Sequence, residues 1–443
     1  MKYGNKRSLL QISGIFIVFT IVGANVVLAV DAVAKQHRPF PDKIYSVVEK
    51  AYRQFHEYPE LGNVEFQTCD YIQESLIQAG FTQIIELPNL LTAVIAVWDT
   101  GREGPTIGLR SEMDARPTQE PAHHDPCSKI NGVMHNCGHD IHAAILLGTA
   151  HAIANDDSAF RGKIVFVFQP AEEVRGGADD IVACGILKEL GIQALFAQHV
   201  APGTPVGRWN ISPGAVMAGS NYFNITLKGQ GSHAADPSAG SDLPLVAARL
   251  VETLSSIPAR SLDILNQPMV MSVTQISTGE HSALNVIPTQ VTLGGTIRAF
   301  YDLDSPGENG KSARDVIMQA IKGVAATYDV EIDFELRKAT PPTQNHNELF
   351  DLIIPQLQSA MAPGALKVTH GRGMFSEDFA YYTPHHPCLY FSLGVMKGEK
   401  GKNGVHTPEF DVHPDTLPQG LLFLWTLAKI ASNSDLSVIH ITE

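Results

Sequence analysis

The spacing of apolar residues predicts helices and buried strands over the first half of the chain. Helical periodicity marks residues 44–58 and 68–79. Short, largely apolar runs lie at residues 91–98, 106–110, 163–168 and 194–197. In these runs, apolar residues do not alternate with polar ones, and helical segments lie between the runs. Such a pattern is typical of strands buried on both faces of a mostly parallel sheet. We therefore predict an α/β fold for this part of the chain.

The pattern changes near residue 221, where the strands begin to alternate. Six elements follow in the order βαββαβ: strands at 223–227, 270–277, 290–300 and 330–337, and helices at 243–257 and 313–328. This order is the two-layer ferredoxin-like pattern. The first pattern then returns, with helices at 345–360 and 417–430 and a strand at 387–394. We therefore predict one α/β domain in two parts, residues 38–214 and 340–432, interrupted by an inserted ferredoxin-like domain, residues 215–339.

The N-terminus has the pattern of an export signal. Lys2, Lys6 and Arg7 precede a mostly apolar stretch over residues 9–30, and small residues follow where a signal peptidase could cut. We predict a signal peptide over residues 1–32 and an exported protein, periplasmic or secreted. The stretch is about long enough to span a bilayer, so an uncleaved membrane anchor is the second choice.

Charge and cysteine content argue against a nucleic-acid-binding protein and against a disulfide-rich protein. The net charge is −14, from 32 basic and 46 acidic residues, with no basic stripe to neutralise phosphates. Nucleic acid is therefore not an expected partner. The five cysteines are odd in number, and their spacing suggests no disulfide framework.

A dense cluster of metal-binding residue types lies at residues 134–142. It holds Cys137, His139, His135 and His142, directly before an apolar helix-like run. Thiolate and imidazole ligands suit zinc, and also cobalt or nickel. The cluster therefore predicts a metal site that other parts of the chain could complete.

Three distant positions supply further candidate ligands. Glu172 and Glu173 directly follow the strand at 163–168, His199 follows the strand at 194–197, and His406 lies in a Gly/Pro-bounded loop. An isolated acidic pair or a lone loop histidine is usually a solvated surface feature. Together, however, the candidates are too rich for one tetrahedral ion and favour two ions that share a ligand. Glu172 would then remain free to move a proton.

The same residues carry a resemblance to a known family. The chain resembles the M20 metallopeptidases, in their amidohydrolase branch of auxin-conjugate hydrolases, hippurate hydrolases and N-acyl-amino-acid hydrolases. The likeness covers about residues 43–430. The matching blocks lie at residues 109–115, 134–142, 169–173, 199–202, 229–237, 285–288, 295–298 and 406–410.

The resemblance implies roles for the ligand candidates. Cys137 would bridge two divalent ions, with His139 and His199 on one ion and Glu173 and His406 on the other. The branch raises manganese as the metal, beside the zinc, cobalt or nickel that the ligands favour. Glu172 would be the general base, and Asp114 and Asp140 would orient ligands without binding metal.

The resemblance also implies how a substrate is held. The inserted domain would act as a lid and as the surface of a homodimer. His233 on this domain would approach the scissile carbonyl, sometimes from a partner subunit. Asn285 and Arg298 would lie near the carboxylate of the substrate. The implied reaction is hydrolysis of the amide bond of an N-acyl amino acid.

Departures from the usual branch pattern and two rival functions stay open. Glu112, Arg116 and Asn136 differ from the residues common at these positions, and they could alter metal choice or the pocket wall. One rival is a dipeptidase or carboxypeptidase with the same metals, although such relatives usually place Asp at the bridging position. The other is an exported binding receptor without turnover, for which a free base such as Glu172 would have no use.

Overall fold

The computed structural model describes residues 38–174, 176–279, 283–308 and 310–440. The predicted signal peptide, residues 1–32, lies outside these ranges. Among the helices in the described ranges, none combines the length and the apolar content that a membrane span requires.

Sixteen strands lie in the described ranges. In chain order they are β1 (Gln83–Ile85), β2 (Val94–Asp99), β3 (Thr106–Glu112), β4 (Lys163–Gln169), β5 (Ala194–Pro205), β6 (Trp209–Ile211), β7 (Gly214–Met217), β8 (Gly219–Lys228), β9 (Ser232–His233), β10 (Met269–Ser277), β11 (Val286–Ile287), β12 (Gln290–Ala299), β13 (Glu331–Thr340), β14 (Thr343–Asn345), β15 (Leu366–Val368) and β16 (Cys388–Met396).

The α-helices of the same ranges connect and cover these strands. In chain order they are α1 (Asp42–Glu57), α2 (Phe66–Gln78), α3 (His139–Asn155), α4 (Ala178–Ala183), α5 (Ile186–Glu189), α6 (Leu243–Arg260), α7 (Ala313–Tyr328), α8 (Asn347–Ala360) and α9 (Thr416–Ser432). Short 3₁₀ turns lie at Pro237–Ala239, Asp378–Tyr381 and Leu436–Val438.

The larger sheet has eight strands in the order β1-β2-β4-β3-β5-β16-β6-β15. Its centre, β4-β3-β5-β16, is parallel, whereas β1 and β2 join it antiparallel and β16 pairs antiparallel with β6. Alternate residues of β4 enter different cores: Phe166 packs with α3 and α9 on one face, and Val165 packs with α4 on the other. Burial on both faces explains the continuous apolar runs and confirms the predicted α/β class.

The predicted βαββαβ segment forms a separate four-stranded sheet. The order β10-β12-β8-β13 is antiparallel throughout, and α6 and α7 pack on one of its faces. The sheet begins at Gly219 and ends at Thr340, close to the predicted joints at Gly214 and Thr340. The chain enters this segment through β7 and leaves it through β14. These two strands lie side by side, because they pair antiparallel. The short pairing of β9 with β11 was not predicted from the sequence.

Candidate metal centre

Cys137, His139 and His199 form the first of two groups of ligand atoms that include Cys137; two further groups among the described residues contain Glu172. Their ligand atoms lie within 4.8 Å of one another, and Cys137 Sγ is 3.4 Å from His199 Nε2. Cys137 precedes the first turn of α3, His139 is the first residue of that helix, and His199 lies in β5. The strand therefore brings His199 next to the two side chains at the helix start.

Cys137 also belongs to the second group, with Glu173 and His406. These ligand atoms again lie within 4.8 Å of one another. His406 Nε2 is 3.3 Å from Cys137 Sγ and 3.0 Å from Glu173 Oε1. The structure thus brings all five predicted ligands together, with the sulfur shared between the two groups.

The hydrogen bonds and the burial of this cluster leave two atoms that a cation could bind. His139 Nδ1 donates to the backbone carbonyl and to Oδ1 of Asp114, at 2.9 and 3.1 Å, so that its Nε2 lone pair faces the cluster. That Nε2 is buried and has no hydrogen-bond partner in the described part of the chain. Burial raises the pKa of the Cys137 thiol, so a thiolate here requires a neighbouring positive charge. A metal ion would satisfy both atoms.

Unusual backbone conformations hold two of these segments in place. His406 has φ 66° and Ala171, directly before Glu172, has φ 58°. Both values lie in the left-handed region, where residues other than glycine are strained, and such residues concentrate at functional sites. Gly138 has φ 85°, and a Cβ there would lie 2.7 Å from Val200. The turn before α3 therefore requires glycine.

Charged side chains behind the cluster orient the ligands. Asp114 Oδ2 accepts from the backbone N–H of Glu173 at 3.0 Å, so one carboxylate holds both His139 and Glu173. Asp140 accepts from His56 at 2.7 Å, and the other ring nitrogen of His56 is 2.9 Å from Glu120. Asp114 thus contacts two of the predicted ligands, whereas Asp140 forms no hydrogen bond with a predicted ligand among the described residues, and its orienting role stays a prediction.

His142 contributes through a different pair of contacts. Its Nε2 accepts from the backbone N–H of Val200 at 2.9 Å, and its Nδ1 therefore donates to Glu112 at 2.8 Å. This contact ties the start of α3 to the middle of β5, next to His199. His135 is buried as well, but neither ring nitrogen has a hydrogen-bond partner in the described ranges. Burial lowers the pKa of His135 to about 4, so it is neutral at pH 7.

Glu172 stands at the edge of the cluster. Its Oε2 is 3.8 Å from His139 Nε2, and its Oε1 accepts a long contact of 3.5 Å from the backbone N–H of Asp378. Burial raises its pKa well above the ordinary value, and the nearby carboxylates of Glu377 and Asp378 raise it further. A carboxyl group with a raised pKa can accept and return a proton near neutral pH.

The acidic neighbours of Glu172 were not predicted from the sequence. Glu377 and Asp378 share the buried guanidinium of Arg110 at 3.0 and 2.6 Å, and Arg110 also pairs with Glu112. Burial raises the pKa of Asp378, and Glu377 adds to this effect against the opposing Arg110, giving about 8. The only local signal was an acidic pair after a glycine-containing loop, which is a common surface pattern.

The departures from the branch pattern have identifiable contacts. Arg116 Nη1 donates to Glu173 Oε2, opposite the side on which His406 lies. Glu112 occupies a fully buried position between Arg110 and His142. Asn136 donates to Thr118 at 3.1 Å through its side chain, and its backbone carbonyl accepts from His406 at 2.7 Å. Each departure therefore touches a ligand or a group that supports one.

The remaining predicted residues lie on the inserted segment. Arg298 of β12 donates to Ser376 Oγ at 2.8 Å, beside Glu377. His233 and Asn285 are exposed neighbours, since β9 pairs with β11 and the Asn285 carbonyl accepts from Ala234. Within the described ranges, no hydrogen bond or ion pair joins their side chains to the metal-ligand cluster. The structure thus brings Arg298, but not His233 or Asn285, to the edge of the site.

A cavity of about 740 Å³ opens beside the cluster. Glu172 and Glu173 line one side of it, and Tyr222 and Arg337 of the four-stranded sheet line the other. A larger cavity, of about 1080 Å³, lies between α1 and the start of α9 and contains none of the predicted site residues. The chemistry of the cluster therefore faces the smaller cavity.

The chain is similar in sequence to known deacetylases, hydrolases and carboxypeptidases. The chain is 32% identical over 378 residues to the N-acetylcysteine deacetylase of Bacillus subtilis (strain 168), covering 85% of this chain and 95% of the relative. It is 35% identical over 383 residues to the IAA-amino acid hydrolase ILR1-like 5 of Arabidopsis thaliana, covering 85% and 84%. Thermostable carboxypeptidases are also among the relatives.

A solved structure and a family profile complete the comparison. The YXEP protein of Bacillus subtilis, described as a dinuclear metal binding peptidase from the M20 family, superposes with a TM-score of 0.74 at 28% identity, covering 88% of this chain and 99% of that one. The profile of peptidase family M20/M25/M40 matches residues 108–429. The predicted family likeness is thereby confirmed: this chain is an amide-bond hydrolase that belongs to the peptidase family M20/M25/M40.

Proposed function

We propose that this enzyme hydrolyses the amide bond of N-acyl amino acids, releasing a carboxylic acid and an amino acid. The observation that carries the proposal is the position of Glu172, a largely buried carboxylate beside the two groups of ligands that share Cys137 and do not include Glu172. The relatives that deacetylate N-acetylcysteine and hydrolyse IAA-amino acids support this substrate class.

The two groups of ligands would hold two divalent cations. Cys137 would be shared, with His139 and His199 on one side and Glu173 and His406 on the other. The donor set favours zinc, cobalt or nickel, and manganese is a further candidate. Such cations, when bound, lower the pKa of a coordinated water towards about 7 and polarise a carbonyl oxygen. A dinuclear neighbour of known structure supports the number of ions.

The residues of the chain would then move one proton. Glu172 would take it from the attacking water and return it to the leaving nitrogen, which typically contributes about 10²–10⁴-fold to the rate. The raised pKa of Glu172 suits this double role, because the carboxyl group must hold the proton between the two steps. Asp114 would keep His139 and Glu173 in place during the reaction.

The four-stranded sheet would supply the contacts to the substrate. Arg298 would bind the carboxylate of the amino acid, since its planar fork suits bidentate binding. Asn285 would lie near the same carboxylate. His233 would donate to the oxygen of the scissile carbonyl as negative charge develops there. Closing of this domain over the cavity would exclude water.

The lack of a hydrogen bond or ion pair between His233 and the ligand cluster, within the described ranges, supports a homodimer through the inserted domain. His233 and Asn285 are exposed and make no contact with the ligand residues of their own chain in the described ranges. A partner subunit would bring them to the site. Mixing Glu172→Gln protein with His233→Ala protein should then restore activity, whereas mixtures without activity would contradict a shared site.

One incubation experiment separates the candidate activities. Metal-loaded enzyme would be incubated with a panel of N-acyl amino acids and with a panel of dipeptides, and the released amines would be measured. The proposal requires faster turnover of the acyl amino acids. Faster turnover of dipeptides would instead assign a dipeptidase or carboxypeptidase, and binding without any turnover would assign a receptor.

A further inference from the structure

The four-stranded sheet has one face that its helices do not cover. Because side chains alternate along a strand, Phe223 of β8 and Leu336 of β13 contact α6 and α7, whereas their neighbours Tyr222 and Arg337 point to the opposite face. Arg298 of β12 lies on the same open face, since it is adjacent to the core residue Ile297. The open face therefore carries two guanidinium groups and the Tyr222 ring, and on the strand of Arg337 it also carries Asp333 and Glu335.

Arg337 is positioned without an acidic partner. Its guanidinium lies 4.8 Å from the centroid of the Tyr222 ring, a cation–π contact that holds the side chain over the sheet. Among the described residues, no carboxylate forms an ion pair with it. The next residue, Lys338, is different, because it pairs with Asp302 at 2.7 Å and Asp304 at 2.6 Å. The charge of Arg337 is thus left available.

The available charge borders the cavity beside the proposed base. Arg337 and Tyr222 line this cavity, and its acidic lining residues are Glu172, Glu173, Asp179, Glu377 and Asp378. A guanidinium presents a rigid fork of donors that matches a carboxylate. A substrate lying between Glu172 and the sheet would therefore meet Arg337, and Ser376, to which Arg298 donates, lines the same cavity.

The register of the sheet sets the spacing of the two arginines. Arg298 is opposite Ser220, and Arg337 is opposite Tyr222, two residues further along β8. With about 4.8 Å between strands and 3.3 Å per residue, their Cα atoms are about 12 Å apart. Two extended arginine side chains that converge across this distance can bind two carboxylates of one small molecule.

We propose that Arg337 selects substrates whose leaving amino acid carries a second carboxylate, as aspartate and glutamate do. Arg298 binds the α-carboxylate, and Arg337, supported by Tyr222, binds the side-chain carboxylate. This inference rests on the proposed hydrolysis of N-acyl amino acids and adds a specificity-determining residue to it.

A comparison of two nearly isosteric substrates tests the inference. N-acetylglutamate and N-acetylglutamine differ mainly in the charge of the side chain, so the ratio of their kcat/KM values reports the second carboxylate. The wild type should prefer N-acetylglutamate. Arg337→Gln should lower this ratio about 10- to 100-fold, as expected for losing a hydrogen bond to a charged group. Arg337→Lys, which keeps the charge but not the fork, should lower it less.

The control makes the same change in charge on the helical side of the domain. Arg249 of α6 is exposed and pairs with Glu252 at 2.9 Å, so Arg249→Gln should keep the wild-type ratio. An equal loss of both substrates in Arg337→Gln would overturn the inference, because it would indicate a contact needed for domain closure. An unchanged ratio would also overturn it.

Two further outcomes separate this inference from the proposed function. If the wild type cleaves neither substrate nor any other N-acyl amino acid, the proposed function fails. If it cleaves N-acyl amino acids but does not prefer N-acetylglutamate, only the inference fails. A preference for N-succinylglycine over N-butyrylglycine that depends on Arg337 would place the second carboxylate on the acyl group and overturn the assignment to the amino acid.

Discussion

The carboxyl end of the large sheet and the open face of the four-stranded sheet differ in how they carry charge. At the large sheet, His139 and Glu112 are completely buried and held by other side chains of the protein. On the open face, Arg337 is exposed and lies over an aromatic ring, without an ion pair among the described residues. One region is assembled in advance, whereas the other leaves its charge for a ligand.

The difference follows from the cost of burying charge. A buried charge without a partner is strongly destabilising, so the ion pairs around Arg110 and His142 must be complete in the folded protein. An exposed guanidinium is hydrated and carries no such penalty. Groups that must be accurately placed for chemistry are therefore buried and supported, while groups that recognise a substrate can remain accessible.

The largest expected effect is a loss of kcat when Glu172, beside the buried ligand cluster, is replaced. Glu172→Gln should lower kcat by about 10²–10⁴-fold, because it removes the group that moves the proton and keeps its shape. Metal content, measured by plasma mass spectrometry, should stay near that of the wild type. The same substitution at the exposed Glu189 is the control and should leave kcat unchanged. Undiminished turnover in Glu172→Gln would remove the general base from this position.

The shared ligand tests whether the buried region holds two ions or one. Cys137→Ala should lose most of both cations, because Sγ belongs to both groups of ligand atoms. Its activity should fall with its metal content. Cys184→Ala, at an exposed cysteine, should keep both. Loss of only one ion would show that Cys137 does not bridge, and normal occupancy would exclude it as a ligand.

A substitution on the open face should change mainly the KM for the substrate. Arg298→Gln should raise KM about 10-fold or more with a much smaller change in kcat, because it removes a charged hydrogen bond to the substrate that both ground and transition states use. Metal content should not change. Arg314→Gln, in the helical layer of the same domain, provides the matched control. A lower kcat with an unchanged KM would place Arg298 in the chemical step.

The smallest effect concerns pH and the support behind the ligands. Burial lowers the pKa of His56, but its bonds to Asp140 and Glu120 outweigh burial and raise the pKa to about 10. The stabilising contribution of protonated His56 is therefore fully present below its unfolded pKa, about 6.5, and is lost as the pH rises through about 10. The free energy of unfolding of the wild type should fall over this range.

Urea denaturation at several pH values measures this contribution. His56→Gln should show a smaller decrease in the free energy of unfolding between about pH 6.5 and pH 10 than the wild type does, because it lacks the titrating group. His385→Gln, at an exposed histidine, should follow the wild type. Parallel curves for His56→Gln and the wild type would contradict a charged His56 between the two carboxylates.

The predictability of the fold followed the strength of its local patterns. The apolar runs at β4 and β5 predicted doubly buried strands, and the order of alternating segments predicted the ferredoxin-like sheet. The antiparallel joining of β1 and β2, and of β6 to β16, was not predicted. Strand direction depends on which neighbours meet in space, and short edge strands carry little pattern of their own.

The candidate site likewise contains residues that the sequence predicted and residues that it did not. Cys137, His139 and Glu173 lie in dense blocks of ligand residue types, and the residue types alone indicate a metal site. Glu377 and Asp378 lie in an ordinary loop sequence, yet they contact Arg110 and raise the pKa of Glu172. No local pattern could connect them with Glu172, because the connection exists only through the folding of distant loops around one buried guanidinium.

The chemical types of the ligands, the free acid beside them and the two alternating patterns of strands can all be read from the order of residues. These features are local, because ligand chemistry and strand periodicity are properties of residues close together in the chain. Folding in three dimensions settles which charges are buried together, that Cys137 touches both ligand groups, and that Arg337 faces the cavity without an acidic partner among the described residues. Burial and pairing of charge depend on the packing of distant elements, and packing sets their energies.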